Sequence, residues 1–120
     1  MDKNFFTNIT ILDVRSHQEF CSGHLCYALN VSMKLPPWTK VQEEDFKNKL
    51  WKIWHANPER TYVVYCKTGK RSKLATDTLR QFGANVINLG GIKNGLLTPL
   101  FQNKVKRPGY KLCYCNNNSF

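Results

Sequence analysis

One cysteine in this 120-residue chain stands in a setting that suits nucleophilic chemistry. Cys66 follows the strand-forming run 61–65 and begins the six-residue segment Cys-Lys-Thr-Gly-Lys-Arg, with Ser72 directly after it. The thiolate is the nucleophilic form of cysteine, and helix N-termini and neighbouring cations favour that form. Gly69 permits a tight turn, so a segment that wraps here can direct its backbone N–H groups toward the sulfur. The pattern favours a reactive Cys66 over an inert buried cysteine, which needs no glycine and no cluster of cations beside it.

The predicted elements around Cys66 place it at the end of a strand. Strand-forming runs cover residues 7–13, 27–32, 61–65 and 84–89, and helical patterns cover 16–21, 42–56 and 72–82, with Ser72 as the predicted cap of the last helix. This alternation favours a parallel sheet with right-handed helical crossovers. Ligands bind at the carboxyl ends of the strands in such sheets, and the following helix adds partial positive charge at its N-terminus.

The composition indicates a folded and strongly basic domain. The chain is 42% hydrophobic, and no apolar run approaches the roughly 20 residues of a membrane span, so we expect no membrane partner. A net charge of +10 from scattered residues favours a solvated surface first, an anionic small substrate second and nucleic acid third. We expect one domain over residues 1–120, with a core over about 9–100 and a frayed tail over 113–120. We also expect a cytoplasmic, reducing location, because the apolar stretch that follows the first residues is too short for a signal peptide.

The remaining cysteines give no clear pattern. The chain has five cysteines in all, and this odd number excludes a fully paired disulfide framework. A structural zinc site usually combines two closely spaced cysteine pairs, and the spacing here does not supply them, so we expect no metal. We therefore assign no chemical role to four of the five: Cys21, Cys26, Cys113 and Cys115.

Three sequence motifs, in order along residues 9–92, resemble those of the rhodanese family. The family's D-V-R … E-(F/Y) … G-H-(I/L) signature is matched by residues 11–15, 19–20 and 23–25. Its C-x-x-G-x-R-S active loop is matched by residues 63–72, and its strand ending in G-G is matched by residues 85–91. Three features depart from the family pattern: only a short segment precedes the Asp13 strand, Cys26-Tyr27 replaces the common Pro-Gly, and Gly95 replaces a Trp. The resemblance implies an α/β fold of the rhodanese type, with a parallel sheet of about four to five strands and helices on both faces.

The resemblance also implies a sulfurtransferase of the thiosulfate sulfurtransferase type that needs no cofactor. Cys66 would take sulfur from a small anionic donor such as thiosulfate and pass it, through a persulfide, to a thiol, cyanide or protein acceptor. The donor would be bound by the rest of the loop: Lys67, Thr68, Gly69, Lys70, Arg71 and Ser72. Structural support would come from Asp13, Arg15 and Glu19, with Arg15 pairing with Glu19 and Asp13 bracing the loop.

Three alternative functions remain. A phosphatase or arsenate reductase of the related fold would use a C-x5-R loop, but Arg71 comes one position early for that spacing and Ser72 occupies the required position. A non-catalytic binding module of the same fold would be expected to have lost the loop cysteine. Nucleic-acid binding through the basic surface is the third alternative, and we expect it least.

Overall fold

The computed structural model describes residues 8–92 and 112–115, which form six strands and three helices. In chain order these are β1 (Ile9–Asp13), α1 (His17–Cys21), β2 (His24–Leu25), β3 (Leu29–Asn30), α2 (Lys40–Ala56), β4 (Thr61–Cys66), α3 (Lys70–Phe82), β5 (Asn85–Gly91) and β6 (Leu112–Cys113). None of the helices within these described ranges has the length and apolar character needed to cross a membrane.

Four of the strands form one parallel sheet in the order β3-β1-β4-β5. β4 lies inside the sheet, and its residues after Thr61 are all buried, which explains why it reads as a continuous run of strand-forming residues rather than as an alternating one. The register pairs Ile9 with Thr61 and Asp13 with Tyr65. The sheet confirms the predicted α/β class and the parallel pairing.

Helices cover both faces of this sheet, as expected. Successive side chains of a strand point to opposite faces, so β4 contributes to two separate apolar clusters. The cluster under α2 and α3 contains Leu12, Val14, Val31, Met33, Phe46, Leu50, Tyr62, Val64, Cys66, Ala75 and Leu79. The cluster on the other face contains Ile11, Leu25, Ala28, Val63, Tyr65 and Leu89, with Phe20 of α1 and Leu112 of β6 packed against it.

Side-chain caps fix the starts of the first two helices. In α1, Ser16 Oγ accepts a hydrogen bond from the backbone N–H of Glu19, and Glu19 Oε1 accepts one from the backbone N–H of Ser16, which confirms the predicted capping box. In α2, Thr39 and Gln42 form the same reciprocal pair, so that helix begins at Lys40 rather than at the predicted residue 42.

The start of α3 differs from the prediction in a way that matters for the site. We expected Ser72 to cap this helix, but the N-cap is Gly69, whose φ of 101° lies in the left-handed region that favours glycine. The helix therefore begins at Lys70, and Arg71 and Ser72 lie within its first turn. The Ser72 hydroxyl donates to the Gly69 carbonyl at 3.1 Å instead of capping the helix.

The end of the described chain corrects two further expectations. Residues 113–115 are not part of a frayed tail, because β6 pairs antiparallel with β2. The four cysteines assigned no role are joined as Cys21–Cys115 and Cys26–Cys113, leaving Cys66 as the free cysteine among the described residues. These bonds span sequence separations of 94 and 87 residues, so no local spacing could reveal them. The predicted core limit near residue 100, Gly95 and the tail 116–120 all lie outside the described residues.

Candidate active site

Cys66 lies where β4 ends and the loop to α3 begins, at the carboxyl edge of the sheet. The residue is fully buried, and its Sγ accepts hydrogen bonds from the backbone N–H of Gly69 at 3.0 Å and of Ser72 at 3.3 Å. The left-handed conformation of Gly69 turns the loop back so that its N–H reaches the sulfur. Both donors direct the positive ends of their N–H dipoles at this sulfur.

The outer part of the loop presents positive charge to solvent. Lys67, Thr68 and Lys70 are exposed, and both lysines lie within four residues of the sulfur-bearing residue. Lys73, one turn into α3, is also exposed but is paired with Asp77 at 2.8 Å. Lys67 and Lys70 are therefore the loop cations available to attract an anion from solvent.

Arg71 is placed differently from our expectation. Its side chain is 0% exposed, and its guanidinium donates to Glu19 Oε1 at 2.6 Å, to Glu19 Oε2 at 3.1 Å and to the Met33 carbonyl at 3.1 Å. Because α3 begins one residue before it, Arg71 lies in the first helical turn and connects α3 to α1. It presents no exposed charge to a donor in solvent, contrary to the sequence-based expectation.

Glu19 is consequently the partner of Arg71 and not of Arg15. The hydrogen bond from Arg71, followed by the backbone and hydroxyl contacts of Ser16, holds the pKa of Glu19 down at about 2. The carboxylate is thus ionised over the whole range in which folded proteins usually operate. This ion pair, with a buried Arg71 and a partly exposed Glu19, connects the helix that follows Cys66 to the helix that follows β1.

Asp13 and Arg15 form a second buried ion pair. The Asp13 carboxylate accepts from Arg15 Nε at 3.0 Å and from Arg15 Nη2 at 2.7 Å, and Nη2 also donates to the Gly23 carbonyl at 2.7 Å. These contacts fix the turn between α1 and β2, so the bracing that we expected from Asp13 acts on this turn. Tyr65 also contacts β2 in this region, where its hydroxyl accepts a hydrogen bond from the Leu25 N–H at 3.2 Å. Burial raises the pKa of this hydroxyl.

Gly91 is a loop-supporting residue to which sequence reasoning assigned no role. A Cβ at this position would lie 2.5 Å from the Lys67 carbonyl oxygen and 2.9 Å from the Thr68 carbonyl carbon. The next residue, Ile92, donates its N–H to the Cys66 carbonyl at 2.9 Å. The glycine pair after β5 was the available signal, and its physical meaning is a close approach between backbones.

One cluster outside the loop contains metal-binding residue types. Among the residues that the structure describes, His17, Cys21 and Cys115 place their ligand atoms within 4.8 Å of one another. The two sulfurs of this cluster are bonded to each other, and a disulfide has no thiolate to offer a metal ion.

Comparisons with known proteins agree with this arrangement. The family described as Rhodanese-like domain matches residues 2–96. A protein of Schizosaccharomyces pombe, named provisionally as a mitochondrial thiosulfate sulfurtransferase, is 32% identical over 83 residues, which are 68% of this chain and 58% of that protein. The chain thus spans somewhat more than half the length of this curated relative.

Solved structures share the fold. A rhodanese with anions from E. coli superimposes with a TM-score of 0.53 at 26% identity, covering 72% of this chain and 89% of the other. A rhodanese-related protein from Thermoplasma volcanium gives 0.57 at 26% identity, covering 92% and 88%. A Helicobacter pylori protein gives 0.60 at 19% identity, covering 93% and 86%.

Proposed function

Because this chain belongs to the rhodanese-like domain family, we propose that it is a sulfurtransferase that carries sulfane sulfur as a persulfide on Cys66. The donor would be thiosulfate or a similar small anion, and the acceptor a thiol, cyanide or a protein thiol. One observation carries the proposal: the sulfur of Cys66 accepts two backbone hydrogen bonds inside a six-residue loop that begins at the end of β4.

The proposed reaction has two displacement steps. The Cys66 thiolate attacks the outer sulfur of thiosulfate, the bond between the two thiosulfate sulfurs breaks, and sulfite leaves with the electron pair. Cyanide or a thiolate then attacks the outer sulfur of the persulfide, and Cys66 leaves as a thiolate. The covalent intermediate divides one difficult transfer into two easier ones.

The loop residues divide this work. The N–H groups of Gly69 and Ser72 stabilise negative charge on the sulfur of the thiolate and of the persulfide, in the manner of an oxyanion hole. Lys67 and Lys70 attract the dianionic donor toward the loop. The fully buried position of Cys66 favours small donors, since a bulky group would have to displace the loop to reach the sulfur.

A thiosulfate:cyanide assay on the wild type beside Cys66→Ser tests the proposal. We expect thiocyanate formation by the wild type and a loss of about a thousand-fold or more in the variant. Mass spectrometry after thiosulfate treatment should show an adduct of about 32 Da, one sulfur atom, on Cys66 and none on the variant. Turnover by Cys66→Ser, or a wild type with neither turnover nor adduct, would refute the proposal.

A non-catalytic binding module is the second candidate, favoured by the complete burial of Cys66. Such a module would bind a partner without forming the adduct. A phosphatase is disfavoured, because the guanidinium that would bind a phosphoryl group is used by Glu19. Hydrolysis of an aryl phosphate without any thiosulfate:cyanide turnover would reverse this order.

The cytoplasmic location is also part of the proposal. A persulfide-carrying thiol is compatible with a reducing compartment, whereas the two disulfides are typical of oxidising ones. Alkylation of the protein in intact cells, followed by a count of labelled cysteines, decides between a reducing and an oxidising location. Labelling of cysteines besides Cys66 supports the cytoplasmic location, and labelling of Cys66 alone contradicts it.

A further inference from the structure

The two disulfides that join Cys113 of β6 and Cys115, just after it, to the region around α1 and β2 have different surroundings. Nε2 of His17 lies 3.3 Å from Sγ of Cys21, in the Cys21–Cys115 bond. Within the described part of the chain, the Cys26–Cys113 bond has no such contact, and the nearby His24 directs Nδ1 to the Phe20 carbonyl at 2.8 Å. Within the described residues, His17 gives the first disulfide a group that can stabilise a departing thiolate.

Other properties of the two bonds are closely matched. All four cysteines are half-buried, and the bonds close chain segments of 94 and 87 residues, so neither exposure nor loop entropy separates them. Their backbone positions do differ. Cys113 lies in β6 and pairs with His24, whereas Cys115 follows the strand and donates one backbone hydrogen bond to the Cys21 carbonyl at 3.3 Å.

We propose that the Cys21–Cys115 disulfide is a thiol–disulfide exchange site for a dithiol reductant, with His17 stabilising the leaving Cys21 thiolate. A thiolate of the reductant attacks Sγ of Cys115, the bond between the two protein sulfurs breaks, and Cys21 leaves with the electron pair. The second thiol of the reductant then attacks its own sulfur in the mixed disulfide and releases Cys115. The dithiol is oxidised to a disulfide while two protein cysteines are reduced.

The direction of attack follows from the histidine. Exchange is faster when the leaving sulfur is stabilised as a thiolate, and His17 contacts Cys21 rather than Cys115. Opening this bond also leaves β6 attached, because Cys26–Cys113 and the pairing with β2 remain. The site can therefore open and close without loss of the strand, and independently of sulfur transfer at Cys66.

Limited reduction with mapping of the opened bonds tests this site. Oxidised Cys66→Ser protein is treated with limiting dithiothreitol, quenched with acid, alkylated and digested, and the wild type is treated in parallel. We expect Cys21 and Cys115 to be alkylated at least about 10-fold faster than Cys26 and Cys113. The Cys66→Ser background removes the free thiol, so the result does not depend on the proposed persulfide chemistry.

Two exposed positions on α1 provide the matched variants. His17→Ala should bring the two opening rates to within about twofold of each other, and Gln18→Ala should leave the difference intact. Equal rates in the parent protein, earlier opening of Cys26–Cys113, or an unchanged difference in His17→Ala would each overturn the proposal. Free thiols at these four positions together with bound zinc in the protein as isolated would overturn it as well.

Discussion

The contact between Gly91 and the Cys66 loop yields the sharpest test of how this site is held. In Gly91→Ala the new Cβ would lie 2.5 Å from the Lys67 carbonyl oxygen, about 0.9 Å less than the 3.4 Å at which ordinary van der Waals contact begins. The obstructing atoms belong to the backbone and have no rotamer that could move aside. The loop must therefore shift as a unit, by up to about 1 Å.

That shift acts directly on the reacting sulfur. The Gly69 N–H lies 3.0 Å from the Cys66 sulfur, so a displacement of this size breaks or bends the hydrogen bond. Misplacement of a catalytic group by about 1 Å can lower the rate about 100-fold, and overpacking costs about 1–3 kcal/mol of stability. We expect kcat/KM for thiosulfate:cyanide transfer to fall about 100-fold, while the variant still unfolds cooperatively at a Tm several degrees below the wild type.

Gly90→Ala is the matched control. Gly90 has a φ of 77°, and a Cβ there would meet nothing within 4 Å. Alanine at Gly90 therefore costs about 1–2 kcal/mol through backbone strain but does not push on the loop, so kcat/KM should stay within about twofold of the wild type. Wild-type activity in Gly91→Ala, or equal losses in both variants, would refute the steric reasoning.

Three further outcomes follow from other contacts. The pKa of Glu19 is lowered from 4.5 to about 2, so its ionised form contributes stability that is complete above about pH 5 and lost as the pH falls toward 2. Acid unfolding should therefore show a loss of about 1–2 kcal/mol in the free energy of unfolding over this window, and Glu19→Gln should not show it. Replacing Lys67 and Lys70 together by Gln should raise the KM for thiosulfate about 10-fold at low salt, whereas Lys73→Gln should leave the KM unchanged. Equal effects would contradict the assignment of Lys67 and Lys70 as the cations that attract the donor. Tyr27 has a φ of 74°, so Tyr27→Gly should be about 1 kcal/mol more stable to urea than Tyr27→Ala. Both variants remove the ring, but only alanine keeps the backbone strain, and equal stabilities would contradict this account.

The features that local sequence could predict are those fixed by short-range physics. The burial of β4, the capping box at Ser16 and the position of Cys66 at a strand end all depend on residues a few positions apart. The rule that ligands bind at the carboxyl ends of parallel strands then located the candidate site. The same reasoning misplaced the start of α3, because the left-handed turn at Gly69 can serve as an N-cap without any capping side chain.

The features that the sequence could not reveal depend on distant partners. Arg71 and Glu19 are 52 residues apart, and either arginine in the motifs could have been the partner of that carboxylate. The side of the loop on which Arg71 would lie depended on the true start of α3. The role of Gly91 required the actual distance between two backbone segments, which no residue pattern encodes.

The strand order also has a consequence for how the chain folds. β4, α3 and β5 are consecutive and cover residues 61–91, so the whole Cys66 loop and its contact with Gly91 come from local segments. By contrast, β1 pairs with β4 across 52 residues of chain, as Ile9 does with Thr61. Because closing a longer loop costs more entropy, we expect the loop that holds the sulfur to form first. The ion pair between Arg71 and Glu19 would then close late, when the first strand and helix dock onto a site that is already shaped.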